Sequence, residues 1–213
     1  TNISLMTLIN VLILRDFHVM KIILRLFLVS GLFFQTMAHA EPLIFTSPSQ
    51  QTTLIELYTS EGCSSCPPAD QWLSGLREKP GLWQDFIPLA FHVDYWDYIG
   101  WKDRFASASY SERQKRYSAQ QSLSTVYTPG FVLNGKEWRK WYSSQALIFE
   151  NTNQPGELTV QVDRNTVEVL FVPNLVKNKA LIINLALVGF DVTTEVKRSE
   201  NSGRNLYHDF VVL

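Results

Sequence analysis

Three apolar segments of strand length follow residue 50, and turn-forming residues bound each of them. Runs of this length, rich in β-branched and aromatic residues, are typical of buried strands. The pattern predicts strands at Thr53–Tyr58, Phe86–Val93 and Phe131–Leu133. The third segment runs directly into Asn134-Gly135, a dipeptide that favours a tight hairpin turn.

Two stretches between these segments carry helical periodicity. From Ala69 to about Arg77 apolar residues recur at helical spacing, and Pro67-Pro68 suit the first helical turn, where a missing N–H costs nothing. Ser107–Gln120 is largely polar and predicts a surface helix. Strands and helices therefore alternate over this region, which indicates an α/β domain with a parallel strand pair, assigned to residues 41–154.

After Pro155-Gly156 the pattern changes to short strands separated by turn residues. The predicted strands are Leu158–Val162, Val167–Val172, Ala180–Val188 and Thr193–Lys197. We interpret residues 155–213 as a smaller, antiparallel, sandwich-like β-rich domain. The sequence stops within the apolar run Phe210–Leu213, so we expect this domain to be truncated.

The first forty residues read as a targeting segment. Lys21 and Arg25 precede the apolar stretch Leu26–Phe34, and the small-x-small triplet Ala38-His39-Ala40 follows it, which is the order of a secretory signal peptide. An uncleaved membrane anchor is the alternative, because Ile3–Leu14 is also apolar. We predict an upstream extension and a signal peptide over 1–40, with the peptide running from about Met20 to Ala40. The mature protein is then periplasmic or secreted, without stable membrane insertion.

The composition of the chain argues against one class of partner, nucleic acid. The chain has 213 residues, a formal net charge of -1 and 46% hydrophobic residues, which is ordinary for a globular protein. Nucleic-acid binding needs clustered Lys and Arg, so a charge near zero without a long basic run argues against nucleic acid as a partner.

The strongest chemical motif is Cys63-Ser64-Ser65-Cys66, which opens the first predicted helix. A thiol at a helix start lies near unpaired backbone N–H groups and the positive end of the helix dipole, which stabilise a thiolate. Because the thiolate is the nucleophile, Cys63 is predicted to attack a partner. Cys66, one turn later, is predicted to resolve the mixed disulfide.

Three alternatives remain open for the cysteine pair. The first is a structural disulfide in a non-enzymatic binding module, since exported proteins retain such bonds. The second is a zinc site, although the chain after residue 40 offers only two cysteines with His92 and His208. The third is a Cu(I)-handling site, in which the soft sulfurs bind the ion with His92. The leading interpretation requires no cofactor and no metal.

Thr128-Pro129 enters the third predicted strand. Thioredoxin-like folds place a cis proline at this point, where the backbone of the preceding residue faces an extended substrate beside the sulfur. An ordinary trans proline is the alternative, and most X-Pro bonds are trans. The preceding order of strand, CxxC helix and strand favours the cis form, so Thr128 and Pro129 are predicted to bind substrate.

Further candidates surround these motifs. Glu56 lies within the first predicted strand, and a carboxylate buried beneath the thiols would have a raised pKa and exchange protons with Cys66; a solvent-facing Glu56 is the alternative. Aromatic residues crowd the irregular segment after the second strand. Tyr95, Trp96 and Trp101 are predicted to form a substrate-binding wall, with ordinary packing as the alternative.

Four ordered blocks resemble an uncharacterised family of secreted bacterial proteins with a thioredoxin-like fold, a domain of unknown function. The blocks are TSEGCSSCPPAD (59–70), FHVDYWDYIGWKDRFA (91–106), VYTPGFVLNG (126–135) and RSENSGRNLYHDFVV (198–212). The resemblance implies a thioredoxin-like domain with an appended β domain in an exported protein, and it supplies no substrate. The chain departs from the family pattern at Gly130-Phe131, where Gln-Met is expected.

The sequence therefore predicts an exported thiol–disulfide oxidoreductase that acts on protein or peptide thiols and disulfides. Cys63 attacks, Cys66 resolves, and Thr128-Pro129 aligns the substrate backbone. The direction of electron flow stays open.

Overall fold

A six-stranded mixed sheet organises the fold. The computed structural model describes residues 41–143, 152–175 and 180–213, and residues Ile44–Leu213 form one unit. The predicted signal peptide, Met20–Ala40, lies outside the described residues. Within the described ranges, no helix has the length and apolar character needed to cross a bilayer.

The described residues contain two α-helices, one 3-10 helix and eleven strands. The helices are α1 (Pro67–Ser74), α2 (Ala108–Ala119) and the 3-10 helix Asp94–Ile99. The strands are β1 (Leu43–Thr46), β2 (Thr53–Thr59), β3 (Phe86–His92), β4 (Gly130–Leu133), β5 (Lys136–Glu137), β6 (Gly156–Asp163), β7 (Thr166–Pro173), β8 (Val188–Gly189), β9 (Val192–Glu195), β10 (Asn205–His208) and β11 (Val211–Val212).

The main sheet has the order β5-β4-β2-β3-β11-β8. Strands β2 and β3 are parallel over their whole length, from Thr53 opposite Phe86 to Thr59 opposite His92. Strand β4 pairs antiparallel with β2, and β11 pairs parallel with β3. The three strands predicted before residue 135, both helices and the parallel pair are therefore confirmed, and the fold is mixed α/β.

Each face of the sheet carries its own apolar cluster. Because side chains alternate across a strand, Ile55 and Leu57 of β2 pack against Ala69 and Leu73 of α1 on one face. On the other face Tyr58 belongs to a cluster that α2 covers. A fully buried Leu or Phe contributes about 2 kcal/mol relative to the exposed side chain, so the first cluster holds α1 on β2 and the second holds α2 on the opposite face.

The strands after residue 155 do not form one sandwich. Strand β6 pairs with β1 on one side and β7 on the other, β9 and β10 form a separate hairpin, and β8 and β11 join the main sheet. The main sheet therefore takes strands from both sides of the boundary predicted at residues 154 and 155. The run Phe210–Leu213, expected to be a truncated end, contains β11 in that sheet.

One predicted strand is largely wrong. Of Ala180–Val188, only Val188 lies in a strand, and residues 180–187 have no regular structure. Their apolar side chains are mostly exposed; Ile182 and Leu185 are each 86% exposed. The apolar pattern is suitable for a strand. Within the described residues, however, the only part of this region that pairs with another strand is β8, which pairs with β11.

Candidate thiol site

Helix α1 begins immediately after the cysteine pair. Cys66 is its N-cap, and Pro67 and Pro68 occupy the first turn, as their fixed φ and missing N–H favour. The Cys66 N–H donates to the Cys63 carbonyl at 3.2 Å, which closes a tight turn between the two residues. Both side chains are free thiols, and both are buried, Cys63 at 1% exposure and Cys66 at 0%.

The Cys63 sulfur is surrounded by hydrogen-bond donors. A hydrogen bond with Cys66 makes the largest contribution to lowering the pKa of Cys63, to about 6, against the opposing effect of burial. The hydroxyls of Ser65 and Thr128 lower it further, and Ser65 Oγ lies 3.2 Å from the sulfur. These donors favour the ionised form, so Cys63 is mostly thiolate at neutral pH.

Thr128 has a geometry suited to this role. Trp96 Nε1 donates to Thr128 Oγ1 at 2.7 Å, so the indole occupies an acceptor position of the hydroxyl. The single hydroxyl proton is then available for the Cys63 sulfur. The Thr128–Pro129 bond is cis, as predicted.

Cys66 has the opposite chemical character. Its burial, its hydrogen bond with Cys63 and the nearby charge of Asp70 raise its pKa well above the ordinary value. At neutral pH the pair therefore contains one thiolate and one protonated thiol.

The loop between β9 and β10, residues 196–204, covers the cysteine turn; we call it the cover loop. Asn201, which is fully buried, donates through Nδ2 to the carbonyls of Glu61 and Cys63, each at 2.9 Å. Glu200 accepts from the backbone N–H of Ser64 at 2.9 Å and from its hydroxyl at 2.7 Å. The cover loop was not identified as part of the site from the sequence, because its contacts join residues far apart in the chain.

A group of ionisable side chains lies beneath the cysteine turn; we call it the buried cluster. Its members are Glu61, Asp70, His92, Asp103 and His208. His92 Nδ1 lies 2.7 Å from Asp103 Oδ2, and the rings of His92 and His208 are 4.9 Å apart between centroids. His208 lies between two carboxylates, with Nε2 3.6 Å from Glu61 Oε1 and Nδ1 3.8 Å from Asp70 Oδ2.

Hydrogen bonding in the buried cluster is uneven. The Asp103 carboxylate also accepts from the Glu61 backbone N–H, and its pKa is lowered, chiefly by His92, although burial opposes this. By contrast, Glu61 Oε1, His92 Nε2 and both ring nitrogens of His208 have no hydrogen-bond partner in the part of the chain that the structure describes. Across residues 41–143, 152–175 and 180–213, no three His, Cys, Asp or Glu side chains are arranged to hold a metal ion.

A cleft of ≈ 360 Å³ opens beside the buried cluster. Helix α1 and strand β10 form its walls, and both Asp70 and His208 line it. It therefore connects one side of the buried cluster with solvent.

Glu56 does not lie beside the thiols. Its buried carboxylate accepts two hydrogen bonds from Arg113, at 2.7 and 3.0 Å, and one each from the hydroxyls of Tyr58 and Tyr117. Side chains alternate along a strand, so Glu56 faces away from Thr59, the β2 residue that contacts Cys66. The carboxylate that adjoins Cys66 is Asp70, on the same helix.

The predicted aromatic wall is tied into the site by its polar atoms. The Tyr95 hydroxyl donates to Gln114 Oε1 at 3.0 Å, and burial raises its pKa. Trp101 Nε1 donates to Glu61 Oε2 at 2.7 Å, while Trp96 holds Thr128. The structure therefore brings Tyr95, Trp96 and Trp101 together near the cysteine turn. Their polar atoms hold Gln114, Thr128 and Glu61 in place through hydrogen bonds.

Comparison with known proteins adds a family but no activity. A search of proteins with curated functions finds no match. One solved structure is similar, an X-ray crystal structure of a protein from Agrobacterium tumefaciens determined by the Northeast Structural Genomics Consortium. The two chains are 44% identical over 40% of this chain and 37% of that one, with a TM-score of 0.35. A family model described as "Protein of unknown function (DUF1223)" matches residues 54–213, so the chain belongs to this family.

Proposed function

We propose that this protein is an exported thiol–disulfide oxidoreductase with a thioredoxin-like fold, acting on protein or peptide thiols and disulfides. The observation that carries the proposal is the geometry at the start of α1, where Cys66 is the fully buried N-cap and Ser65 Oγ lies 3.2 Å from the Cys63 sulfur. This geometry makes the acidities of the two cysteines unequal. The pKa of Cys63 is lowered to about 6, while that of Cys66 is raised well above its ordinary value. A reactive pair needs one ionised nucleophile and one thiol held back for the second step.

The order of elements supports the thioredoxin-like part of the proposal. A central strand leads into the CxxC helix, the next strand pairs parallel with the first, and a Thr-Pro step leads into an antiparallel strand. Strands β8 and β11 extend the sheet beyond this unit.

The reaction balances as two successive displacements. The Cys63 thiolate attacks one sulfur of a substrate disulfide; that bond breaks, a mixed disulfide forms, and the first substrate thiolate leaves and takes up a proton. Cys66 then loses its proton and attacks Cys63, releasing the second substrate thiolate. Two electrons pass from the cysteine pair to the substrate, and the reverse sequence oxidises a substrate dithiol.

Access to Cys63 requires movement at the cysteine turn, because the side chain is only 1% exposed. The cover loop is the element that holds this turn from the outside, through Glu200 and Asn201. When it moves away, the thiolate faces an incoming chain that Thr128 and Pro129 align.

The test is disulfide exchange with a peptide disulfide, comparing wild type with the Cys63→Ser and Cys66→Ser variants. We expect Cys63→Ser to abolish exchange and Cys66→Ser to accumulate a mixed disulfide through Cys63. Ser109→Ala, on the exposed start of α2, serves as the control. Equal exchange rates for wild type and Cys63→Ser would remove the proposal.

A second candidate function is a binding module in which the cysteine pair is a permanent structural disulfide. The burial of both sulfurs favours it. The reduction potential of the pair separates the two functions, because structural disulfides in secreted proteins have values below about -300 mV. A higher value supports the oxidoreductase.

A further inference from the structure

The second displacement requires a base for Cys66, and the buried cluster offers one. Asp70 follows Cys66 by one helical turn, so the two side chains share a face of α1. The Asp70 N–H donates to the Cys66 carbonyl at 3.1 Å, and the carboxylate is only 6% exposed. The buried Thr59 hydroxyl lowers the pKa of both side chains, although its oxygen has no hydrogen-bond partner among the described residues.

Asp70 has the acidity that proton exchange near neutral pH requires. Burial raises its pKa to about 7, with smaller increases from Asp103 and Cys63, while His208 and Thr59 lower it. A base of this strength can accept a proton and release it again at neutral pH. The other ionisable members of the buried cluster are Glu61 and His92, which lie against His208, and Asp103, which lies 2.7 Å from His92.

His208 comes from β10, on the other side of the cleft from α1. It is 2% exposed, and its ring nitrogens lie 3.6 Å from Glu61 and 3.8 Å from Asp70 without a hydrogen bond to either. A ring between two carboxylates, with unused N–H capacity, is placed to stabilise a negative charge on Asp70.

Formation of the mixed disulfide changes the charge beside Asp70. The Cys63 thiolate raises the pKa of both Asp70 and Cys66. When Cys63 becomes bonded to substrate, its negative charge disappears, so both pKa values fall. Loss of this charge favours the ionised form of Asp70 at the stage at which Cys66 must lose its proton.

We propose that Asp70 is the base that accepts the Cys66 proton in the resolving step, and that His208 is the residue that positions and stabilises it. This inference rests on the proposed function. The proton moves from Cys66 Sγ to the Asp70 carboxylate, directly or through Thr59, while Cys66 sulfur bonds to Cys63 and the substrate thiolate leaves. Asp70 then passes the proton to water in the cleft that it lines with His208.

The experiment uses 5,5′-dithiobis(2-nitrobenzoate), which reports the two displacements separately. Attack by Cys63 releases one nitrothiobenzoate and leaves the other bound as a mixed disulfide; resolution by Cys66 releases the second. We expect Asp70→Asn to leave the first phase within twofold of wild type and to slow the second at least tenfold at pH 7. We also expect the second phase to lose its inflection near neutral pH.

Two further variants keep the test decisive. Asp209→Asn alters another carboxylate of the same cleft, which pairs with Arg77, and we expect it to leave both phases unchanged. His208→Gln removes the stabilising ring, so the inflection of the second phase is expected to shift to higher pH. An unchanged second phase in Asp70→Asn would overturn the role of Asp70 as the base. An unshifted inflection in His208→Gln would overturn the positioning role of His208. Absence of the first phase in wild type would instead overturn the proposed function.

Discussion

The Thr128 hydroxyl is predicted to be one of the groups that keep Cys63 ionised. The pKa of Cys63 lies at about 6, roughly three units below an ordinary value near 9, which corresponds to about 4 kcal/mol in favour of the thiolate. Contributions from Cys66, Ser65 and Thr128 act together against the cost of burial, and that of Cys66 is the largest. Replacing Thr128 by Val keeps its shape and removes one donor.

We expect Thr128→Val to raise the pKa of Cys63 by about one unit, which is about a tenfold change in the equilibrium between thiol and thiolate. At pH 5.5 a shift of one unit from about 6 lowers the thiolate fraction about eightfold. Part of this loss in rate is offset, because a more basic thiolate is intrinsically more nucleophilic. The assay is therefore the full pH dependence of Cys63 alkylation by iodoacetamide, followed by mass spectrometry, and not a rate at one pH.

The control variants separate the hydroxyl from the packing around it. Thr128→Ser retains the donor and should leave the pKa of Cys63 close to that of wild type. Trp96→Phe removes the indole N–H that Thr128 accepts but leaves the hydroxyl free to donate, so its effect should be small. An unchanged pKa in Thr128→Val, or an equal rise in Thr128→Ser, would refute the reasoning.

Three other predictions concern the surroundings of the site. Glu56→Gln should lower the free energy of unfolding by about 2 to 3 kcal/mol in urea titration, because Arg113 loses a buried ionic partner. It should leave thiol reactivity unchanged, and a catalytic defect without destabilisation would contradict this prediction. Glu200→Gln should speed Cys63 alkylation severalfold without changing the pKa of Cys63, because the variant weakens the hydrogen bonds between the cover loop and Ser64. An unchanged rate would mean that Glu200 does not limit access to Cys63. Asp70 has a raised folded-state pKa of about 7, so its contribution to stability is fully present below its unfolded pKa and is lost as the pH rises from about 4 to 7. Asp70→Asn should flatten the pH dependence of unfolding over that window; equal slopes in both proteins would contradict the burial of a neutral Asp70.

The central part of the fold was readable from the sequence because its elements have strong local signals. Strands β2 and β3 are apolar runs with clear boundaries, and α1 starts at two prolines. Strands β8 and β11 have two residues each, too short for any periodicity; β11 forms where it pairs with β3, and β8 where it pairs with β11.

For a similar reason, only part of the candidate site could be predicted from the sequence. Cys63, Cys66 and Thr128-Pro129 follow from local motifs, and the cis bond is confirmed. The carboxylate beside Cys66 was sought on β2, although the alternation of side chains along β2 turns Glu56 to the other face. Helical spacing from Cys66 points to Asp70, but nothing in the sequence indicates that β10 places His208 against it.

The most direct test of the account is a titration of the reduced protein, following thiolate absorbance near 240 nm. We predict that one thiol ionises with a midpoint near pH 6, that this transition is lost in Cys63→Ser, and that Cys66 stays protonated through pH 9. A first midpoint above pH 8, or a low transition that persists in Cys63→Ser, would contradict the claim that the structure divides the pair into a nucleophile and a resolving thiol.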